Sequence, residues 1–296
     1  MPSGSEIILA VDDYDLEATL SSGQVFGWTR GERGWAGVVG GRWVELSKSA
    51  DGIHARTSNK QTDWDWLVDF LQTEVELWKV VATFPPNDEH LAAAVQACRG
   101  LRLLRQEPWE CLASFILSST KQIVQIRQIV QMLCTRHGRS VDTPAGGQKV
   151  FAFPTAAQIS VLSEADLRSC KMGFRAPYLL AAARRVATGG IDLAAVGRMS
   201  LPEARSALVQ FEGVGEKIAD CVLLFAYGFP TAFPVDVWVR RVLVQYYFRG
   251  RDVPPERLRK FIAKHFGPNA GYAQQYLFHH MRSMNGKILS EAQRES

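Results

Sequence analysis

Cysteine is scarce and scattered. Five occur in 296 residues (Cys98, Cys111, Cys134, Cys170 and Cys221), with no CxxC pair and no Cys/His cluster. An odd, widely spaced set is not a disulfide framework. Without paired ligands, neither an iron–sulfur cluster nor a structural zinc is expected, and no metal-binding side chains are assigned. This usage fits a reducing, intracellular compartment. Long apolar runs are also missing. The most apolar stretch, 221–235, is interrupted by Gly228, Pro230 and Pro234 and is too short to span a bilayer, so no membrane partner is expected. The first twenty residues have no basic leader followed by an apolar segment, so no targeting signal is expected. Nucleoid, cytoplasm and nucleus stay open. No repeat or low-complexity segment is present. What remains is an ordinary globular mix, 47% hydrophobic and 22% charged. The length suits about two domains with a sizeable core.

Net charge is only +4 but unevenly placed. Residues 1–85 hold 7 Lys/Arg against 13 Asp/Glu, and residues 86–296 hold 27 against 17. An acidic first part thus precedes a larger basic part, whose field would attract a polyanion. Charge alone leaves a solvated basic surface as an equal alternative.

The first part reads as β. Gln24–Thr29, Trp35–Val39 and Arg42–Leu46 are rich in aromatic and β-branched residues, and Gly40-Gly41 predicts a two-residue hairpin between the last two. Asp63 predicts a helix start, with Trp64, Leu67, Val68 and Leu71 on one face. Pro85-Pro86 marks a boundary between 1–86 and 87–296. The second part reads as helical: Leu91–Cys98, a helix opened by Pro108, Ile123–Cys134, one started by Ser163 with Asp166 at N3, Pro177–Val186, Pro202–Gln210, Glu216–Tyr227, Val237–Tyr247, Pro255–His265 and Gly271–Asn285. The class is therefore α+β, a small antiparallel sheet followed by a helical body.

The chemistry concentrates at 201–227. Two helices flank Gly213-Val214-Gly215. Glycines allow positive φ and close backbone approach, Val214 can plug into the helix pair, and the next helix then presents free N–H groups outward as a phosphate cradle. Such contacts read no bases. A plain helix–helix turn is the simpler alternative. Lys217 lies in the first turn of that helix. Its dipole and burial both disfavour an ammonium, and a lysine nucleophile needs the neutral amine. Cys221, four residues on, shares its face. Beyond Pro234-Val235, Asp236 is placed to N-cap the next helix, and a carboxylate near Lys217 could stabilise a cationic sugar. Gln274 and Phe278 share a face of the last helix, although Phe278 in the core and Gln274 in solvent would be equally simple.

The hairpin, the Lys two residues after it and the Pro-Val-Asp nineteen residues further on resemble the helix-hairpin-helix DNA glycosylase superfamily. Within it the chain is most similar to the 8-oxoguanine DNA glycosylase/AP lyases. Ser22-Gly23-Gln24-Val25-Phe26-Gly27-Trp28, the run Leu103–Leu112 and Ala270-Gly271-Tyr272-Ala273-Gln274 resemble further motifs of that family, in order along nearly the whole chain. The resemblance implies a TBP-like N-terminal sheet domain on a two-part helix-hairpin-helix body. It implies damaged double-stranded DNA as partner, a monomer, and no cofactor beyond a possible monovalent cation at the hairpin. It also implies that Lys217 attacks C1′ of a flipped nucleotide while Asp236 stabilises positive charge. The Gly23 carbonyl would accept the N7–H that distinguishes 8-oxoguanine from guanine. Cys221 and Phe278 would sandwich the base, and Gln274 would contact its Watson–Crick edge. Phe174 would wedge into the vacated stack, and Arg175 and Thr120 would face the orphaned cytosine. Gly213, Val214 and Gly215 would hold phosphate. Taken by themselves, Phe174 reads as core and Arg175 as surface.

Some residues depart from the family pattern. Thr120 and Gln125 stand where cytosine-contacting Asn and Arg are usual, Glu212 replaces a Pro, Trp238 a His and Phe174 a Tyr. The first two substitutions predict a weaker preference for cytosine opposite the lesion. Excision rates opposite C, T, G and A check this, and strict cytosine dependence would refute it. Two other readings stay open at this level: a superfamily glycosylase for another damaged base, and a non-catalytic DNA-binding module.

Overall fold

The computed structural model describes residues 4–119, 121–144 and 146–292. Strands β1 (Glu6–Ala10), β2 (Thr29–Arg30), β3 (Trp35–Val39), β4 (Arg42–Ser49) and β5 (Gly52–Thr57) form one antiparallel sheet in the order β1-β5-β4-β3-β2. Gly40 and Gly41 turn at φ 55° and 76°, as a type I′ hairpin needs, and set Val39 opposite Arg42. Ile53, Ala55 and Thr57 alternate inward along β5, with Ala55 facing Leu46 and Thr57 facing Val44. Trp28 lies across Gly37, where a Cβ would come within 2.5 Å of the indole.

Helices α1 (Leu16–Ser21), α2 (Asp65–Leu71) and α3 (Leu77–Val81) accompany the sheet. The body then runs through α4 (Glu89–Ala97), α5 (Pro108–Leu117), α6 (Ile123–His137), α7 (Ala156–Ser160), α8 (Glu164–Ser169), α9 (Ala176–Ala187), α10 (Leu193–Val196), α11 (Leu201–Leu208), α12 (Glu216–Phe225), α13 (Val237–Tyr247), α14 (Pro255–His265) and α15 (Ala270–Ala292). Caps explain several starts. Glu107 accepts from the Glu110 amide at 2.7 Å with Pro108 behind it, and Ser163 and Asp166 close a capping box on α8. One apolar cluster lies under the sheet, with Trp28 stacked on Phe70 at 5.7 Å. A larger one fills the body and also takes in Leu77 and Val80.

Two expectations need correction. Gln24–Thr29 is not a strand; only Thr29–Arg30 pairs. The Gln24 side chain turns inward instead, donating to the carbonyls of Thr19 and Arg102 and accepting from the Leu104 amide at 2.8 Å. Those bonds occupy the chain in a loop, and Gln106 Nε2 donates back to the Gln24 carbonyl at 2.7 Å. The helix expected at Asp63 starts at Asp65, with Trp64 as an N-cap that makes no side-chain bond. Strands β1 and β5, helix α1 and the small ladder Ser140–Val141 with Val150–Phe151 lack a sequence signal, being short or mixed in polarity.

Residues 101–107 stitch the two units. The Arg105 amide donates to the Phe70 carbonyl at 2.9 Å, and the Gln106 amide to that of Phe225 at 2.8 Å. The Ser22-Gly23-Gln24 loop is thereby pinned against the helical body, which fixes where Gly23 sits.

Candidate active site

Helices α11 and α12 meet at a tight turn. Gly213 adopts φ 76° and lies against Tyr178, where a Cβ would come within 2.8 Å of the ring. Val214 is buried and its amide bonds the Phe211 carbonyl at 3.1 Å. Gly215 caps α12 without a side chain, is exposed, and a Cβ there would meet open space. The first amides of α12 therefore face outward without intrahelical partners, a geometry suited to a phosphate oxygen. Substituting the two glycines should separate fold from contact. Gly213→Ala should destabilise the protein by about 1–3 kcal/mol, from a left-handed backbone and the ring clash. Gly215→Ala should leave the unfolding temperature nearly unchanged while weakening duplex binding. Thermal melts beside duplex titrations check both.

Lys217 follows in the first turn of α12, half-buried. Its Nζ lies 3.4 Å from Ser118 Oγ and 5.5 Å from the centre of the Phe115 ring. Helix α5 sets both partners, because Phe115 is fixed by stacking on Phe225 at 5.6 Å and Ser118 by its bond to the Phe115 carbonyl. Sequence reasoning missed both residues, whose only signal is their position at the end of an apolar helix. Cys221 is buried on the same face. Burial pushes its thiol up to about 12, opposed by Lys217 and aided by Asp220 and Asp236. The amine and the carboxylate thus act on this sulfur with opposite sign. A neutral thiol there is a packing surface and not a nucleophile. Asp236 caps α13, accepting from the Val239 amide at 2.7 Å, and stays half-buried. Beside it, Val237 and Trp238 are exposed.

On α15, Gln274 is buried and not solvated, and its Oε1 has no hydrogen-bond partner. Phe278, one turn on, is partly buried against the body core, the cluster that also holds Cys221. Gln275 Nε2 reaches the Ser22 carbonyl at 3.4 Å, tying α15 to the Gly23 loop. Gly23 has φ 87° and is crowded by Ile123 Cδ1, which a Cβ would meet at 2.5 Å.

Phe174 and Arg175 reverse the reading of these two taken by themselves. Phe174 is 55% exposed on a short turn, and Arg175 is 2% exposed with its guanidinium 4.2 Å from the Phe174 ring. Arg175 packs beneath the ring and bonds the Met172 carbonyl at 3.4 Å, so it props the aromatic outward. Tyr178 sits edge-on to Phe174 at 6.5 Å and also floors Gly213, linking the exposed aromatic to the turn. Thr120 lies outside the described residues. A cavity of about 920 Å³ lies elsewhere, between the sheet and α6, lined by Trp28, Trp35, Glu110 and Arg127 among others. Among the described residues no His, Cys, Asp and Glu side chains gather as a metal site, and no helix is long and apolar enough to cross a membrane.

Comparison with known proteins agrees with this geometry. Residues 6–112 match the N-terminal domain of 8-oxoguanine DNA glycosylase, and residues 113–268 match the HhH-GPD superfamily of base excision DNA repair proteins. The N-glycosylase/DNA lyase OGG1 of Arabidopsis thaliana is 29% identical over 94% of this chain and 80% of its own. A probable N-glycosylase/DNA lyase of Methanothermobacter thermautotrophicus is 31% identical over 66% of this chain and 68% of its own. The structure of MBOgg1 with a low affinity DNA ligand superposes with a TM-score of 0.89 at 31% identity, covering 96% of this chain and 97% of that one. The Clostridium acetobutylicum 8-oxoguanine glycosylase/lyase, in complex with DNA containing cytosine opposite 8-oxoG, gives 0.85 at 27% identity, covering 94% and 99%. The amine-bearing hairpin, the capping aspartate and both matched domains lead to one statement: this chain belongs to the HhH-GPD superfamily of base excision DNA repair proteins, with the N-terminal domain of its 8-oxoguanine DNA glycosylases.

Proposed function

We propose that the protein is a bifunctional glycosylase/AP lyase that flips 8-oxoguanine out of duplex DNA and excises it. The observation that carries this reading is the half-buried Lys217 amine in the first turn after Gly213-Val214-Gly215, beside Ser118 and Phe115. A target inside a duplex must leave the stack to reach such a recessed amine. The Lys217 amine attacks C1′ and gives up a proton, and the bond from C1′ to N9 breaks with its electron pair leaving on the base, which takes up a proton. Asp236 faces the positive charge that develops on the sugar. Ring opening yields the C1′ Schiff base. Loss of a C2′ proton then expels the 3′ phosphate and nicks the strand. The α11–α12 turn holds backbone phosphate, Phe174 enters the vacated stack, and Arg175 supports it from below. Backbone carbonyls of the Gly213-Val214-Gly215 turn would be the groups to hold a monovalent cation, which would supply positive charge for a bound phosphate; the steps above need none.

The match of residues 6–112 to the 8-oxoguanine DNA glycosylase N-terminal domain favours this base over an alkylated one. Borohydride trapping on a duplex with one 8-oxoguanine opposite cytosine tests the proposal. A covalent protein–DNA adduct is expected. Absence of an adduct together with release of another base from a damaged-duplex panel would move the assignment to that base.

A further inference from the structure

Gln274, Phe278 and Arg282 repeat every four residues on α15 and so share one face. Two buried polar atoms on that face, Gln274 Oε1 and Arg282 Nη1, have no hydrogen-bond partner. Buried unpaired groups are rare and call for an explanation. The Gln274 atom belongs to the Watson–Crick-edge contact that the family resemblance implies. Arg282 has no role in that reading, and its place is specific. Nη2 donates to the Ser21 carbonyl at 3.0 Å, and Nη1 lies 3.3 Å from where a Gly23 Cβ would stand. Arg127 of α6 reaches the adjacent carbonyl, that of Leu20, at 3.1 Å. Two guanidiniums from two helices therefore grip the C-terminal end of α1, which leads into the loop that presents Gly23. Burial first, and then the neighbouring Arg127 cation, hold the Arg282 pKa below its ordinary value. The wall beside Gly23 is thus rich in donors and positive, with the donors of Arg282 Nη1 and Arg127 Nε unspent.

The edge of 8-oxoguanine that would meet Gly23 presents oxygen, N7–H, oxygen. The Gly23 carbonyl suits the central N–H, and a guanidinium N–H suits a flanking oxygen. We propose that Arg282 is a specificity-determining residue of the lesion pocket, its Nη1 donating to O6 or O8 of the flipped base while Nη2 holds the Gly23 loop. The assignment rests on the function proposed above. Both orphan atoms are closed off from solvent in the free protein and Ile123 Cδ1 crowds Gly23, so base entry displaces Ile123 and supplies the missing partners.

The test uses the full chain carrying Lys217→Gln, so that no base is released through the amine, with and without Arg282→Leu. Dissociation constants are measured for duplexes with 8-oxoguanine, with 8-oxo-2-aminopurine (which lacks O6) and with 9-deazaguanine (which keeps N7–H but lacks O8). Arg282→Leu should weaken 8-oxoguanine binding by about tenfold or more, as expected for a lost hydrogen bond to a charged donor. It should leave one analogue within about twofold, and that analogue identifies the oxygen. Equal weakening of all three would reduce Arg282 to a loop anchor and overturn the proposal, as would no weakening at all. A duplex with an abasic site, which offers no base, should bind both proteins alike and reports on folding. If the leucine variant fails there, the same comparison on Arg282→Gln, whose amide keeps a donor for Ser21, decides. Failure of the functional reading looks different: the parent Lys217→Gln protein would then bind 8-oxoguanine no better than guanine.

Discussion

Lys217→Gln should abolish borohydride trapping and slow both base release and strand nicking on the order of 10³-fold or more, as removal of a covalent nucleophile does. Duplex affinity should change little. The side chain contacts Ser118 and Phe115, residues within the protein, and the phosphate-facing amides of the turn belong to the backbone. Glutamine matches lysine closely enough in length to keep the Phe115 contact and carries a donor for Ser118, yet it cannot form an imine. Single-turnover excision and trapping, measured beside a binding titration, check the split. Comparable losses of binding and chemistry would mean that the amine anchors DNA rather than reacting with it.

Asp236 serves two purposes that one pair of substitutions can separate. Its Oδ1 caps α13 at 2.7 Å, and in the proposed mechanism its carboxylate faces the developing sugar cation. Asparagine caps about as well as aspartate, whereas alanine loses about 0.5–2 kcal/mol. Asp236→Asn should therefore melt within a degree or two of the wild type, yet lose about 10²–10³-fold in excision rate, the usual effect of removing one preorganised electrostatic partner. Asp236→Ala should lose the activity and the cap together. Equal activity of wild type and Asp236→Asn would confine Asp236 to its structural role. Melting curves and single-turnover rates on the three proteins decide it.

Legibility differed from element to element. The Gly40-Gly41 hairpin, the Pro108 start, the Ser163 capping box and the turn before α12 were readable because each is dictated by a local rule of φ, missing donors or capping. Gln24–Thr29 was misread because aromatic and β-branched content signals a buried extended chain, not a paired one. The bonds from Gln24 to Thr19, Arg102 and Leu104 that make it a loop join residues up to eighty positions apart. Phe174 and Arg175 by themselves were misread for a similar reason. Which of two neighbours faces solvent depends on what packs beneath the turn, and here a guanidinium occupies that place.

By itself the sequence determined the α+β order, the Gly-Val-Gly turn with Lys217 two residues beyond, Asp236 as a cap, and the shared face of Gln274 and Phe278, because these follow from periodicity and neighbours within a few residues. Only the tertiary structure decided that Ser118 and Phe115 cradle the amine, that Cys221 lies where both Lys217 and Asp236 act on it, and that Arg282 stands beside Gly23. Those contacts join segments far apart in the chain. They are set by how the helices pack against the sheet and the 101–107 segment, and local rules carry no information about that.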